Sequence, residues 1–569
     1  MLNRKIFQSK NLLLIALISL ITLSLLIITT HPQANETTKQ IINKLTPGTT
    51  ATKPTINNTT DSNSESQVDD DDDLHTVLPE DTSKFQNHLD FWDFIFKIFK
   101  KYELSKDIQP LIDYNDFTQA TLEDNESRKA LLQKADLHNV DKVKQLHKSV
   151  IDALPNKLSE SVYKKGSTGI VTIGGGFYSW MAFLQILQLR KIGSTLPVEL
   201  IIPSFGSYED EFELCQEILP KYNAKCVIVP EQFGSRVMKN WSFGSYQYKA
   251  LALVLSSFQH TLLLDSDNSP VVNPDSFFDQ PVYKDNGLVL WPDYWVRSMS
   301  PKWYDMIDKP YSTEVKDKDS RFPLTIPEKL TPEQEQHTRF NDLKGVLSDR
   351  ATESGQVLFN KDTHGKVALM VLYYNLFGPE LYYKLFSLGA LGEGDKDTFA
   401  AAALDVGKPY YQVHSHIKTL GWKSQDGEYH GMVMGQKNPQ IDYELFDKVQ
   451  KDLVSKNQNW SDEEKKLFDD DSNVPVFTLH CNIKKIHPPD FMKDKSIIND
   501  EGTSMNVRFY NSFKFMDKEG QELDFELERW KLVNKVACED KIKFSIFKDQ
   551  DMDKVCSFIK NSIDFYSKN

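Results

Sequence analysis

The rhythm of hydrophobic and polar positions changes several times along the chain. Residues 11–30 read NLLLIALISLITLSLLIITT, an apolar stretch without a charge, and Arg4, Lys5 and Lys10 precede it. As a helix it would be roughly 30 Å long, enough to cross the hydrocarbon core of a bilayer. A cleaved leader would have a shorter apolar region of about 7–15 residues and a small-residue cleavage site. The stretch fits neither, so it reads as a signal anchor whose basic end stays in the cytosol. From about His31 to Lys84 large apolar residues are scarce and Thr, Asn, Ser, Gln and Asp dominate. That composition cannot bury a core and predicts a disordered stem. LDFWDFIFKIFKKYEL, from Leu89 to Leu104, then reads as an aromatic amphipathic helix. Such a stripe packs more often on its own domain than on a membrane surface. Helical patterning continues to about Leu158.

From Thr168 the period shortens. TGIVTIGGG (168–176) predicts a strand closing on three glycines, FYSWMAFLQILQLRKIG a helix ended by Gly193, and LPVELIIPS (196–204) the next strand. A helix through EDEFELCQEILPKY, a strand KCVIVPE, a helix YQYKALALVLSSF and a strand HTLLLDSD follow. Strands alternating with helices at this spacing imply βαβ units, a mainly parallel sheet and the α/β class. Right-handed crossovers place the strand C-termini on one edge, where open α/β sheets bind ligands. Gly174 to Gly176 and the pair Asp265 and Asp267 fall on that edge. The expected division is a cytosolic tail 1–10, a spanning helix 11–30, a stem 31–84, a helical part 85–165 and an α/β domain 166–569 with a C-terminal helical extension.

Composition narrows the function. The formal net charge of −14 argues against nucleic-acid binding, which needs clustered Lys and Arg. Part of the charge is the uninterrupted run Asp69 to Asp73, read as a solvated segment. Asn35, Asn57, Asn58, Asn125, Asn240 and Asn459 each fit the N-glycosylation pattern and agree with a luminal location. Of the five cysteines, Cys538 with Cys556 is the preferred pair. The odd number leaves at least one thiol unpaired or intermolecular.

Asp265 and Asp267 carry the most specific chemistry. They end an apolar strand, and at i and i+2 their side chains point the same way, so they can share a divalent cation. Carboxylates with water and phosphate suit Mg²⁺ or Mn²⁺. Asp pairs also cap turns and helices, and that reading predicts a structural role instead. Gly174 and Gly175 form neither a Walker loop nor a clear GxGxxG fingerprint. They read equally well as a plain turn or as backbone approaching a ligand.

Longer motifs occur in order between about Thr168 and Pro489: LPVELIIP, YKALALVLSSFQHTLLLDSDNSPVVNPDSFF, WPDYW, ESGQVLFNK, YYNLFGPELYY, GEGDKDTF and LHCNIKKIHP. Through them the chain resembles the Golgi nucleotide-sugar glycosyltransferases of the GT-A fold. More narrowly, it resembles the fungal α-1,2-mannosyltransferases of the Mnn family. The resemblance implies a GT-A-like nucleotide-sugar-binding fold with a mainly parallel sheet, preceded by a single transmembrane helix and a disordered stem. It implies a single-pass type II enzyme of the Golgi membrane with its catalytic domain in the lumen. The donor would be GDP-mannose, the metal Mn²⁺ or another divalent cation, and the outcome retention of configuration. The acceptor would be a mannose hydroxyl on the N-glycan outer chain of glycoproteins, in cell-wall mannan branching. Its partners would be those glycans, the Golgi membrane and, in a complex, other mannosyltransferases.

Carried onto the matching motifs, the resemblance gives Asp265, Asp267 and His480 to the metal. Lys249 stands where retaining GT-A enzymes of the glycogenin type carry a Lys facing the donor phosphates or sugar, although a solvated helix lysine would look the same. Lys485, favoured over Lys484 by the family spacing, would lie near the diphosphate, and His487 reads as a turn residue. Gly174, Gly175, Asp293 and Ser354 join Lys249 and Lys485 as donor-binding candidates. Glu353, Glu393 and Asp395 are the catalytic candidates in two sugar-facing segments. An Asp-Gln pair of the glycogenin-type pattern is replaced here by Asp395-Lys396. Lys⁺ is a poor nucleophile, which puts a covalent intermediate in doubt and admits front-side displacement. Asp397 reads as a helix cap, Trp291 as buried core and Arg190 as a charge complementing a helix dipole. The alternatives are an α-1,3-mannosyl or mannosyl-phosphate transferase of the same fold, or a catalytically silent glycan-binding luminal protein. Intact Asp265 and Asp267 speak against the last.

Overall fold

The computed structural model describes residues 82–104, 112–113, 132, 136–317, 321–327, 331–424 and 426–568. The apolar stretch 11–30, the acidic run 69–73, nearly all of the expected stem and the sequons at Asn35, Asn57, Asn58 and Asn125 lie outside the described residues. Among the described residues no helix is long and apolar enough to cross a membrane.

Two sheets organise these residues. In chain order their strands are β1 (Lys164–Ile173), β2 (Val198–Ile202), β3 (Ala224–Ile228), β4 (Phe258–Leu264), β5 (Asn268–Pro270), β6 (Leu288–Pro292), β7 (Thr352–Asn360), β8 (Tyr411–Gln412), β9 (Lys418–Lys423), β10 (Tyr429–Lys437) and β11 (Val476–His480). The larger sheet runs β8-β6-β7-β4-β1-β2-β3. Strands β4, β1, β2 and β3 run parallel to one another, and β8 is parallel to β6. Strand β7 is antiparallel to both β4 and β6. The smaller sheet, β9-β10-β11-β5, is antiparallel throughout. The α/β reading holds, with β7 as an antiparallel insertion in the mainly parallel sheet.

The apolar runs explain the core. Every residue of β2 is buried, as expected of a strand covered on both faces. The helix Phe177–Lys191 is buried nearly all round, because it is sandwiched rather than laid on a surface. The stripe on helix His88–Lys101 is also core. Phe91, Trp92, Ile95, Phe96, Ile98 and Phe99 are buried, and the Phe96 ring lies 4.9 Å from Phe233 and 5.3 Å from Trp241. Hydrophobic packing therefore continues across residue 165 into the α/β domain.

Local punctuation accounts for the differences from the expected elements. The helix expected through EDEFELCQEILPKY is broken into Phe205–Asp210, Leu214–Ile218 and Leu219–Tyr222, and Pro220 cannot donate the backbone bond a continuous helix needs. The strand expected through KCVIVPE ends at Ile228, where Val229 and Pro230 open the helix Val229–Met238; proline is favoured in that first turn. Cys538 and Cys556 form the expected disulfide, Cys215 and Cys226 form a second, and Cys481 is the buried free thiol. Of the two described sequons, Asn240 is exposed. The Asn459 side chain is engaged, accepting from the backbone of Thr325 and Ile326.

The turn leaving β4 places the site. Asp265 donates its backbone N–H to Gly355 O of β7 (2.8 Å). Three residues later Asn268 opens β5, paired with His480 at the end of β11. Asn268 donates to Gly355 O (2.8 Å) and to Gln356 Oε1 (2.6 Å). Gln185 donates to the carbonyls of Asp265 and Asn268, both at 2.6 Å. Asp265 and Asp267 thus occupy the corner where the sheets meet. Because the aromatic stripe of His88–Lys101 is buried, Phe96→Ala should cost about 3–5 kcal/mol of stability. Chemical denaturation of the purified protein measures it, and a change within about 0.5 kcal/mol, typical of an exposed position, would contradict the packing.

Candidate functional site

Three elements deliver charged side chains to this corner. His480 Nε2 lies 3.1 Å from Asp267 Oδ1 and 4.0 Å from Asp265 Oδ2, and its Nδ1 lies 3.2 Å from Glu353 Oε1. The last contact is close but poorly aligned, so Nδ1 has no proper hydrogen-bond acceptor. One ligand atom each from Asp265, Glu353 and His480 falls within 4.8 Å of the others, with Asp267 alongside. Glu353 is itself fixed: its Oε1 accepts from Gly355 N (2.6 Å) and its Oε2 from Gln356 Nε2 (2.6 Å). Its place among the residues that could hold a metal depends on the β7 register. Leu264 pairs with Gln356, so Glu353 lies just past the end of β4, beside Asp265. No local sequence signal carries that register; the run ESGQ marks only a polar end to an apolar strand.

Lys249, in the first turn of the helix Gln247–Leu255, is the central cation. Its Nζ lies 2.9 Å from Asp265 Oδ2 and 3.6 Å from Asp395 Oδ1, and it donates to Ser354 Oγ at 2.9 Å. Burial alone would lower its pKa, but Asp265, Asp395 and Glu353 outweigh burial and raise it above the ordinary lysine value. Lys485 pairs with Asp267, whereas Lys484 turns to Asp494. His487 pairs with Asp490 three residues on, as a turn residue should. Asp395 is buried and its Oδ2 has no hydrogen-bond partner. Burial raises its pKa, with Lys249 pulling the other way. The carboxylates of Asp265, Asp267, Glu353 and Asp395 outnumber the ammonium groups of Lys249 and Lys485.

The neighbouring segments divide between site and scaffold. Asp293 is buried beside Lys396, whose Nζ is 2.9 Å away; burial raises the Asp293 pKa while Lys396 opposes it. Trp291 is core, its Nε1 donating to Lys437 O at 2.8 Å. Glu393 is exposed and accepts from Ser387 Oγ at 2.9 Å, away from the contacts that bind the cluster together. Asp397 occupies the N-cap position of the helix Thr398–Val406 but makes no side-chain cap. It accepts instead from Arg297 Nη1 (2.6 Å) and Thr352 N (2.9 Å), because the fully buried Arg297 guanidinium requires a counter-charge. Arg190 donates to the carbonyls of Tyr222, Ser194 and Leu196, a backbone brace rather than a dipole partner alone. Gly174 and Gly175 sit at the end of β1. A Cβ on Gly174 would come within 2.8 Å of Leu200 and of Ser179, and Gly175 has φ +95°. Gly175 N donates to Ser179 Oγ at 2.8 Å, so close packing and backbone conformation demand glycine here whether or not a ligand approaches.

A family model described as "Mannosyltransferase putative" matches residues 167–438. The chain is 52% identical over 503 residues to the α-1,2-mannosyltransferase MNN22 of Candida albicans, covering 84% of this chain and 85% of that one. It is 40% identical over 513 residues to MNN23 of the same organism, also an α-1,2-mannosyltransferase, with 84% of each covered. Among solved structures, the WbbM bifunctional glycosyltransferase aligns at 13% identity and a TM-score of 0.26 over 44% of this chain and 39% of that one.

The cluster has a pH signature. Burial lowers the His480 pKa, but Glu353 and Asp265 more than compensate and raise it above 6.5. In metal-free protein the imidazolium contribution to stability is therefore complete below about pH 6.5. It is lost as the pH rises through the raised folded value. A cation bound there competes with that proton. With a chelator present, wild-type melting temperature should decline above about pH 6.5 relative to His480→Gln, and added Mn²⁺ should raise it more at high than at low pH. Identical profiles for the two proteins would contradict the assignment.

Proposed function

The chain belongs to the family of α-1,2-mannosyltransferases and is an enzyme of mannosyl transfer, and from that premise we propose a donor, a metal and a place of action. The donor is GDP-mannose, bound in a GT-A-like site with a divalent cation, Mn²⁺ in the first instance. The acceptor is a mannose hydroxyl on an N-glycan outer chain in cell-wall mannan, and the configuration is retained. The observation that carries this reading is the convergence of Asp265, Glu353 and His480 within 4.8 Å, with Asp267 beside them. Oxygen donors with a single imidazole suit such a cation, and the carboxylate excess leaves negative charge for it to neutralise. Nothing in the site favours the α-1,3-mannosyl, mannosyl-phosphate or silent glycan-binding readings over the activity the relatives' names share.

Asp265, Asp267, Glu353 and His480 would hold the cation, which when bound supplies Lewis-acid stabilisation of the charge on the leaving diphosphate. The remaining roles belong to the chain's own side chains. Lys485 can exchange its contact with Asp267 for a donor phosphate oxygen, a charge-assisted hydrogen bond. Lys249, fixed by Asp265, Ser354 and Asp395, keeps a positive charge beside the transferred sugar. Asp395 offers its unpartnered Oδ2 to a sugar hydroxyl, a geometry that orients the ring. Lys396 is held as the partner of Asp293, which supports front-side displacement over covalent capture at that position. There the leaving diphosphate takes the acceptor proton as the new glycosidic bond forms.

Asp265→Asn should lower mannosyl transfer by at least about 100-fold and weaken metal-dependent GDP-mannose binding, while the protein stays folded. His480→Ala should lose less, since water can replace one imidazole. Turnover with GDP-mannose, Mn²⁺ and a defined mannoside, measured beside the melting temperature, tests both; full activity in folded Asp265→Asn would defeat the proposal. The proposed topology is single-pass type II in the Golgi membrane, anchored by residues 11–30. Protease added to sealed vesicles should spare everything beyond Thr30, and digestion of the α/β domain without detergent would reject that orientation.

A further inference from the structure

The loop Gly392–Asp397 connects three charged pairs: Asp395 with Lys249, Lys396 with Asp293, and Asp397 with Arg297. Two aromatic rings press on its glycines. A Cβ at Gly392 would meet Trp295 Cδ1 at 2.6 Å and the Lys396 side chain at 2.8 Å. At Gly394, where φ is +155°, the Tyr246 ring lies 3.4 Å from the place a Cβ would take. These rings are not core. Tyr246 is 49% exposed and Trp295 41%, whereas Trp291 in the same WPDYW motif is completely buried. Neighbouring elements hold the segments that carry them. The Trp295 carbonyl accepts from Ala351 N at 3.1 Å. Tyr246 stacks edge-on against Tyr383, whose hydroxyl donates to Asn375 at 2.7 Å.

Exposed aromatic rings side by side with fixed charges leave apolar surface that a ligand can cover, and the glycines let them approach the charged loop. Each ring is also tied in sequence to a charged group of the site: Tyr246 lies one helical turn before Lys249, and Trp295 follows Asp293 by two residues. Aromatic faces beside fixed carboxylates recognise sugars, whose C–H faces stack while their hydroxyls donate to the carboxylates. Resting on the mannosyl-transfer reading above, we propose that Tyr246 and Trp295 form the acceptor subsite. They stack on a mannoside chain beside the Gly392–Lys396 loop, and Asp293 accepts a hydroxyl of the same chain. Two rings packed against one loop suit an oligosaccharide better than a single mannose, so they set acceptor length.

The test uses the full-length chain in detergent, with Trp295→Ala, Tyr246→Ala and the conservative Trp295→Phe and Tyr246→Phe. Acceptors are α-methyl mannoside and a linear α-linked mannotriose. Transfer and acceptor-free hydrolysis of GDP-mannose are both followed. Each alanine variant should raise KM for the triose about tenfold, the equivalent of about 1.4 kcal/mol expected of one lost aromatic contact. It should narrow the preference for triose over monosaccharide and lower the ratio of transfer to hydrolysis at limiting acceptor. The phenylalanine variants should retain most of the affinity. An unchanged KM for the triose in both alanine variants would overturn the inference. So would transfer and hydrolysis falling together, since the rings would then serve the donor or the fold. If the wild-type chain neither hydrolyses nor transfers mannose from GDP-mannose, the functional reading itself fails, a different outcome from an active enzyme whose acceptor KM ignores both rings.

Discussion

The structure around the corner depends on excess negative charge held at short range. Carboxylates repel one another strongly in a partly dehydrated setting, and Asp265, Asp267, Glu353 and Asp395 are brought together regardless. Lys249 tolerates burial because three of them surround it. Lys485 and His480 are drawn to Asp267 for the same reason. The scaffold absorbs the strain with neutral donors: Gly355 N and Gln356 on Glu353, and Gln185 on the carbonyls of the turn. The arrangement leaves more negative than positive charge at the corner, and the proposed cation would neutralise it.

Much of this was legible in the residues, and what was not has a common cause. The parallel strands, the helices between them and the Asp265/Asp267 corner follow from local periodicity and from where an apolar run meets charge. Lys249 and Lys485 were legible through motif position. Glu353 was visible as a candidate acid, but its partners were not. Its location depends on an antiparallel strand that arrives nearly ninety residues after β4 and pairs with it. Asp397 shows the same limit. An acid before TFAAAALDV reads as a cap, yet Arg297, a hundred residues away, takes its carboxylate. Pairings between distant segments leave no periodic trace, and both differences arise there.

The smaller sheet explains why the site needs so long a chain. β5 is only three residues, Asn268–Pro270, but its pairing with β11 fixes His480 opposite Asn268. Asn268 in turn bonds to Gly355 and Gln356 of β7. A single buried amide thereby ties together the segments that carry Asp265, Glu353 and His480. The geometry of the cluster follows from this tie more than from the acids themselves.

The unpaired cysteine has a chemical consequence. Cys481 follows His480 directly, its Sγ donates to Lys484 O, and burial pushes its pKa up to about 11. Only about one thiol in ten thousand is then ionised at neutral pH, and the thiolate is the attacking species in exchange. The chain carries an odd sulfur beside its charged corner without a usable nucleophile there. Burial and a suppressed thiolate both slow attack by this thiol on the Cys215–Cys226 and Cys538–Cys556 bridges.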